Sequence, residues 1–194
     1  MLQRKVNMWA VGSFVALILM SFSAAVQSQQ TKPVTQEIRT AKNVNPELQV
    51  LSSYIKTRNA KMSSAVADSI SDSIIRESNK TNLPVELIVG IVEAESTFNP
   101  KASSKGAKGL MQIKKGDKVK VDHGRASNIS YNVGTGCKIL IEKLKTTDGE
   151  LHEALGKYSG GSKTYPNRVL TCIGRYAMHK DKDKISRASE TKTM

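Results

Sequence analysis

The sequence predicts a mainly α-helical domain with a cleft, and three observations carry that prediction. Apolar residues recur every four positions in two stretches, Met62, Val66, Ile70, Ile74 and then Leu87, Ile91, which is the spacing of one helical face. Neither stretch alternates as a half-buried strand would. Between Glu95 and Gln112 the chain is broken by Pro100, Gly106 and Gly109, a composition that suits turns beside a helix end.

Arg4 and Lys5 precede a stretch from Val6 to Thr31 without any charge, and Trp9 to Met20 is strongly apolar with Ser21, Ser23, Ala24 and Ala25 behind it. Residues 1–26 therefore read as a secretory signal peptide or an N-terminal membrane anchor, since about 20 apolar residues span a bilayer. Either reading places the remainder outside the cytoplasm, periplasmic or held on the inner membrane facing the periplasm. Residues 27–57 form a polar linker that can hold a short helix through Leu48, Leu51 and Ile55.

The domain proper is expected over residues 58–178, opening with the helix of Met62 to Ile74. A second helix spans 82–96, with Asn82 as its cap and Pro84 in its first turn. The basic stretch from Lys114 to Ser127 is a solvated loop or a short hairpin over the cleft, the loop being favoured. Helices follow around 139–144, 150–157 and 166–178. Residues 179–194 alternate Lys180, Lys182 and Lys184 with Asp181 and Asp183 and are expected to form a charged disordered tail.

Composition bounds the partners. The 194 residues include 30 Lys and Arg against 17 Asp and Glu, a net charge of +13 that favours an acidic partner. Aromatic residues make up 5% and no stacking motif accompanies the charge, so nucleic acid lacks a supporting signature. His123, His152 and His179 stand apart, without metal-ligand spacing, and no cofactor motif is present. Cys137 and Cys172 are a disulfide candidate in an exported chain; the alternative is two small buried apolar residues.

One carboxylate has a chemical setting. Glu95 continues the stripe of Leu87 and Ile91 at a further four-residue step, so it extends the buried face. A carboxyl there has its charged form disfavoured, its pKa rises, and it can serve as a general acid. Glu86 and Glu93 lie off the stripe, and Glu93→Gln is expected to be mild.

The segment Glu95-Ser96-x-Phe98-Asn99-Pro100-x-Ala102, followed by Gly106-Ala107-x-Gly109-Leu110-Met111-Gln112, resembles the soluble lytic transglycosylase family. Asn132-Val133-x-x-Gly136-x-x-Ile139-Leu140 is similar to that family's second motif. Ala154-Leu155-Gly156-Lys157-Tyr158-Ser159-Gly160-Gly161 is similar to its third, and Tyr165-Pro166 stands where the family often has a tyrosine. The resemblance covers residues 60 to 178 and implies a lysozyme-like fold that cleaves peptidoglycan glycan strands. It implies Glu95 as the single acid/base, Tyr158 as the tyrosine that orients it, and Gln112, Met111, Gly109 and either Ser103 or Ser104 around the sugar cleft, with Ser103 preferred on its spacing to Gly106. The chain departs from the family in a shorter spacing before Gly106, in Ser159 for the usual Asn, and in Lys157 for a small residue.

The implied chemistry closes a 1,6-anhydro ring on muramic acid. Asp117, Asp122, Glu142 and Asp148 have no motif support as a second carboxylate. Plain hydrolysis remains open, as does a non-catalytic glycan-binding module of an envelope or phage machine. Partners on this reading are peptidoglycan, the inner membrane if the N-terminal segment is uncleaved, and proteins of such a machine.

Overall fold

Helix α1 (Pro46–Arg58) starts where the Asn45 side chain accepts a hydrogen bond from the Glu47 amide and Pro46 fills the first turn. The computed structural model describes residues 45–116 and 118–190, so the signal or anchor segment and most of the polar linker lie outside the described residues. Among the described residues no helix is long and apolar enough to cross a membrane. The short helix expected in the linker is α1, and it belongs to the unit that spans Asn43–Met194. It buries Leu51, Tyr54 and Ile55 in the common core.

Helix α2 (Ser64–Thr81) is capped by Ser63, whose hydroxyl accepts from the Val66 amide. It ends at Asn82, which adopts the left-handed region at φ 57° and donates its amide to Ser78 O. Asn82 therefore closes α2 rather than capping the next helix. Helix α3 (Val85–Ser96) instead starts from Pro84 without a side-chain cap. Asparagine tolerates the left-handed conformation because its short amide meets little steric penalty there.

Leu87, Ile88, Val89, Ile91 and Val92 are all buried, so α3 is surrounded by protein on most sides. Its main neighbour is α6 (Tyr165–Glu190). A Cβ at Gly90 would stand 2.6 Å from Ile173 Cγ1 and 3.1 Å from Val169 O, so glycine lets these two backbones approach. Between α3 and α4 (Ile129–Lys145) lies an antiparallel hairpin, β1 (Ser103–Ser104) with β2 (Ala107–Lys108), extended by a bridge from Lys108 to Ile113. The hairpin thus precedes the basic stretch from Lys114 onward, which forms turns. Helix α5 (Leu151–Tyr158) leads into a turn and then α6.

Asn132 on α4 ties the hairpin turn to the core. It is 1% exposed; its Oδ1 accepts from the Met111 amide at 2.7 Å, and its Nδ2 donates to Lys108 O at 2.9 Å and Ala126 O at 2.7 Å. Asn132→Ala should cost about 3 kcal/mol, since three hydrogen bonds, two of them buried, at about 1 kcal/mol each are lost and the Met111 amide loses its acceptor. Urea unfolding measures this; a loss below about 1 kcal/mol would mean that water replaces the amide.

Three sequence expectations are corrected. Cys137 and Cys172 do not pair, and both thiols are free and buried. Cys137 sits near Glu77 of α2, whereas Cys172 on α6 faces Glu93 and Arg175, so they belong to different faces of the core. Burial, with Glu77 nearby, pushes the Cys137 thiol up to about 12, and burial raises Cys172 too, which makes both poor nucleophiles.

Residues 179–190 are helical rather than a disordered tail. Lys180 pairs with Glu86, Asp183 with Arg187, and the His179 ring lies 2.8 Å from Ser53 Oγ and 5.3 Å from the Tyr54 ring. The charge alternation thus serves ion pairs along and beside the helix.

Glu93 is not solvated. It is 4% exposed and accepts from Tyr54 Oη at 2.6 Å, Arg58 Nε at 2.8 Å, and Arg175 Nη2 and Nε at 2.8 and 3.1 Å. Because α3 is enclosed, a position off its main stripe is buried as well, and the partners come from α1 and α6.

Candidate active site

The chain leaves α3 through two consecutive left-handed residues, Thr97 at φ 48° and Phe98 at φ 62°. Such conformations are uncommon for non-glycine residues and persist where packing holds them. Here Phe98 is fully buried and meets Tyr54 edge-on at 6.1 Å. The sharp reversal ends α3 directly at a cleft of ≈ 380 Å³, with Glu95 in its wall. The hairpin and its turn supply Ser104, Gln112 and Lys114, the end of α5 supplies Tyr158, and the start of α6 supplies Tyr165 and Arg168.

Among the described residues that line this cleft, Glu95 is the sole carboxylate. Burial pushes its pKa above the ordinary glutamate value, while Tyr165, Arg168 and Lys114 act in the opposite direction. Burial thus favours the acid form and the two cations favour the carboxylate, the two states that a group giving and retaking a proton must visit. The Tyr165 hydroxyl is buried beside Glu95, where its hydrogen-bonding influence lowers the Glu95 pKa and the carboxyl raises its own. Burial and the adjacent carboxyl raise the Tyr165 pKa further, so it stays a neutral donor. Its ring stacks against Tyr158 at 6.4 Å and carries the Arg168 guanidinium at 5.1 Å.

The Tyr158 hydroxyl donates to Met111 O at 2.9 Å, which fixes the ring against the turn. Tyrosine thus acts twice on this cleft, with Tyr158 tying the wall and Tyr165 facing the acid. The influence of Tyr165 on Glu95 was hidden because the start of α6 and the end of α3 converge only in three dimensions. Tyr165→Phe should raise the Glu95 pKa, since the hydroxyl favours the carboxylate. A ¹³C titration of the Glu95 carboxyl reads this directly; an unmoved midpoint would show that the two groups do not interact.

The other expected cleft residues divide. Ser104 lines the cleft, and Ser103 does not, because neighbours on a strand face opposite sides. Gln112 lines it with its backbone at φ 47°, and its Nε2 donates to Ala102 O at 3.1 Å and Gly109 O at 2.9 Å, which shapes the turn. Met111 is 0% exposed and packs under Gly136, where an added Cβ would come within 2.4 Å of its Sδ; it supports the cleft floor from beneath. Gly109 has φ +78°, and a Cβ there would stand 2.1 Å from Asn132 Nδ2, so it serves the turn rather than the cleft surface. Lys114 and Arg168 escaped the sequence reading, although Arg168 stands one helical turn after Tyr165.

Among the described residues no group of three or more His, Cys, Asp or Glu side chains is placed to hold a metal ion. A family model for the transglycosylase SLT domain matches residues 72–182. A transglycosylase of Enterobacteria phage PRD1 is 31% identical over 112 residues, 53% of this chain and 42% of the phage protein. The chain therefore spans less than half the length of that relative. No solved structure matches the chain.

Proposed function

The chain belongs to the transglycosylase SLT domain family, and from that premise we propose that it is a peptidoglycan lytic transglycosylase with Glu95 as its single acid/base. The observation that carries this reading is the lone carboxylate of the cleft, half-buried and flanked by Tyr165, Arg168 and Lys114. A two-carboxylate glycosidase needs a second acid across the scissile bond. None of the described residues lining this cleft supplies one.

In the proposed reaction Glu95 first gives its proton to the glycosidic oxygen as the C1–O bond of N-acetylmuramic acid breaks. The muramic acid 6-hydroxyl then attacks that anomeric carbon and gives its proton to the Glu95 carboxylate. A 1,6-anhydro ring forms, the leaving sugar keeps the first proton, and no water is consumed. The substrate's N-acetyl group can stabilise the developing positive charge in place of a protein nucleophile. Arg168 and Lys114 favour Glu95 as carboxylate at the midpoint, and burial favours its return to the acid.

The proposed place of action is the cell envelope, reached through the signal or anchor segment at residues 1–26. Mass spectrometry of purified peptidoglycan after digestion tests the activity. Anhydro-muropeptides from the wild-type chain, absent with Glu95→Gln, are the expected result. Reducing-end products would mean hydrolysis by water instead. A folded chain that sediments with the wall and releases nothing would be a binding module.

A further inference from the structure

Three cations stand in the wall of the Glu95 cleft, Lys105, Lys114 and Arg168. Glu95 is the sole carboxylate among the described residues lining it, and in its acid form it carries no charge. No salt bridge among the described residues engages any of the three cations. The surroundings add to this excess, since Thr97 to Gly116 holds five lysines and neither Asp nor Glu. Lys105 sits at the tip of the β1–β2 hairpin. Ser104 pairs with Ala107, so Lys105 and Gly106 form a two-residue loop, at φ 47° and 79°. Asn or Gly is preferred first in such a loop, because other side chains meet a steric penalty at positive φ. An exposed lysine without an acidic partner is thus kept there against local preference. Lys114 follows Ile113, which is 1% exposed and bridges Lys108, so its backbone is fixed at the cleft edge. Arg168 lies over the Tyr165 ring at 5.1 Å.

We infer that this cleft selects glycan strands whose peptides have been removed, through the carboxylate that removal leaves on each muramic acid. The inference rests on the preceding reading that the strand lies beside Glu95, and deepens it by naming the form of the strand. In an intact strand the lactyl arm on C3 of muramic acid ends in an amide to the peptide, so the sugars themselves are uncharged. They then offer the three cations no counter-charge. Hydrolysis of that amide adds water across it, the peptide leaves with a free amine, and a carboxylate remains on the sugar's own short arm. A planar carboxylate suits the fork of Arg168, and the lysines act beside it as point charges. A cleft lined by one sign of charge also concentrates an anionic strand over a neutral one. The class of reaction that supplies the preferred substrate is therefore amide hydrolysis at the lactyl carboxyl.

The test is calorimetric binding of the full chain, carrying Glu95→Gln to prevent turnover, to three soluble ligands. These are peptide-bearing glycan strands, the same strands freed of peptide by an amidase, and the freed strands with their lactyl carboxylates converted to neutral primary amides. Freed strands should bind about tenfold more tightly than their amidated form at low salt, since partly exposed ion pairs contribute a few-fold each. They should also bind more tightly than peptide-bearing strands. Lys105→Asn, which removes the charge and suits the turn, should reduce the carboxylate-to-amide ratio a few-fold, whereas Lys105→Arg should keep it. Equal affinity for freed and amidated strands overturns the inference. So does peptide-bearing strand binding as tight as that of freed strands or tighter, or an unchanged ratio in Lys105→Asn. Release of anhydro products from amidated strands by the wild-type chain judges the activity separately, so either reading can fail without the other.

Discussion

Glu95→Gln should lower the release of soluble muropeptides by about 10³-fold, the scale of a lost general acid and base. The amide is nearly the same size as the acid, so the cleft keeps its shape, but it can neither give the first proton nor take the second. The same substitution should not weaken the fold. The Glu95 carboxyl has a raised pKa in the folded state, so the folded chain holds this proton more tightly than the unfolded chain does. Its contribution to stability is therefore present below the ordinary glutamate pKa and is lost as pH rises through the raised value. At neutral pH the neutral glutamine escapes that loss, so thermal unfolding of the variant should match or exceed wild type. A variant that unfolds earlier, or one that keeps near-normal turnover, would remove Glu95 from its proposed role.

Two residues away, Glu93→Ala should have the opposite signature, a loss of stability rather than of chemistry. Its carboxylate is the common acceptor for Tyr54, Arg58 and Arg175, and its side chain is 2% exposed. Removing one partner from a buried ion pair costs about 3–5 kcal/mol. Arg58 and Arg175 remain 37% and 41% exposed and can rehydrate, which brings the expected loss to the bottom of that range or below it, about 2–3 kcal/mol. The Tyr54 hydroxyl has no such route to water and retains the penalty of a lost acceptor. Denaturant unfolding should show the loss, while activity per folded molecule stays close to wild type at low temperature. A drop in activity without a drop in stability would mean that Glu93 serves the reaction.

The contrast between these two glutamates shows how far the sequence could be read. Periodicity placed Glu95 correctly at the cleft end of an apolar stripe, because its neighbours on that helix are local in sequence. It misjudged Glu93, because a helix enclosed on most sides buries polar positions whenever distant elements bring partners. Those partners lie on α1 and α6, at residues 54, 58 and 175, and no helical spacing reports them. The helical tail after His179 escaped for the same reason, since Glu86 and Ser53, which it meets, lie far back in the chain.

The candidate site divides along the same line. The candidate acid, the glycine-rich turn and the cleft tyrosine at the end of α5 were legible from motif residues, whereas the choice of Ser104 over Ser103, and the place of Gly109 in the turn rather than on the cleft surface, were not. Which groups surround the acid was not legible. Tyr165, Arg168 and Lys114 reach Glu95 only when the start of α6 and the turn after the hairpin converge on the end of α3.

By itself, then, the sequence determined the helical class through its period and the family through its motifs, and it singled out Glu95 as the candidate acid. Only the tertiary structure decided that Met111 lies beneath the cleft, that the cysteines stay apart, and that Glu93 is an anchor and not a bystander. The physical reason is that burial and charge pairing are sums over neighbours from every element, and those neighbours are chosen by packing rather than by order along the chain.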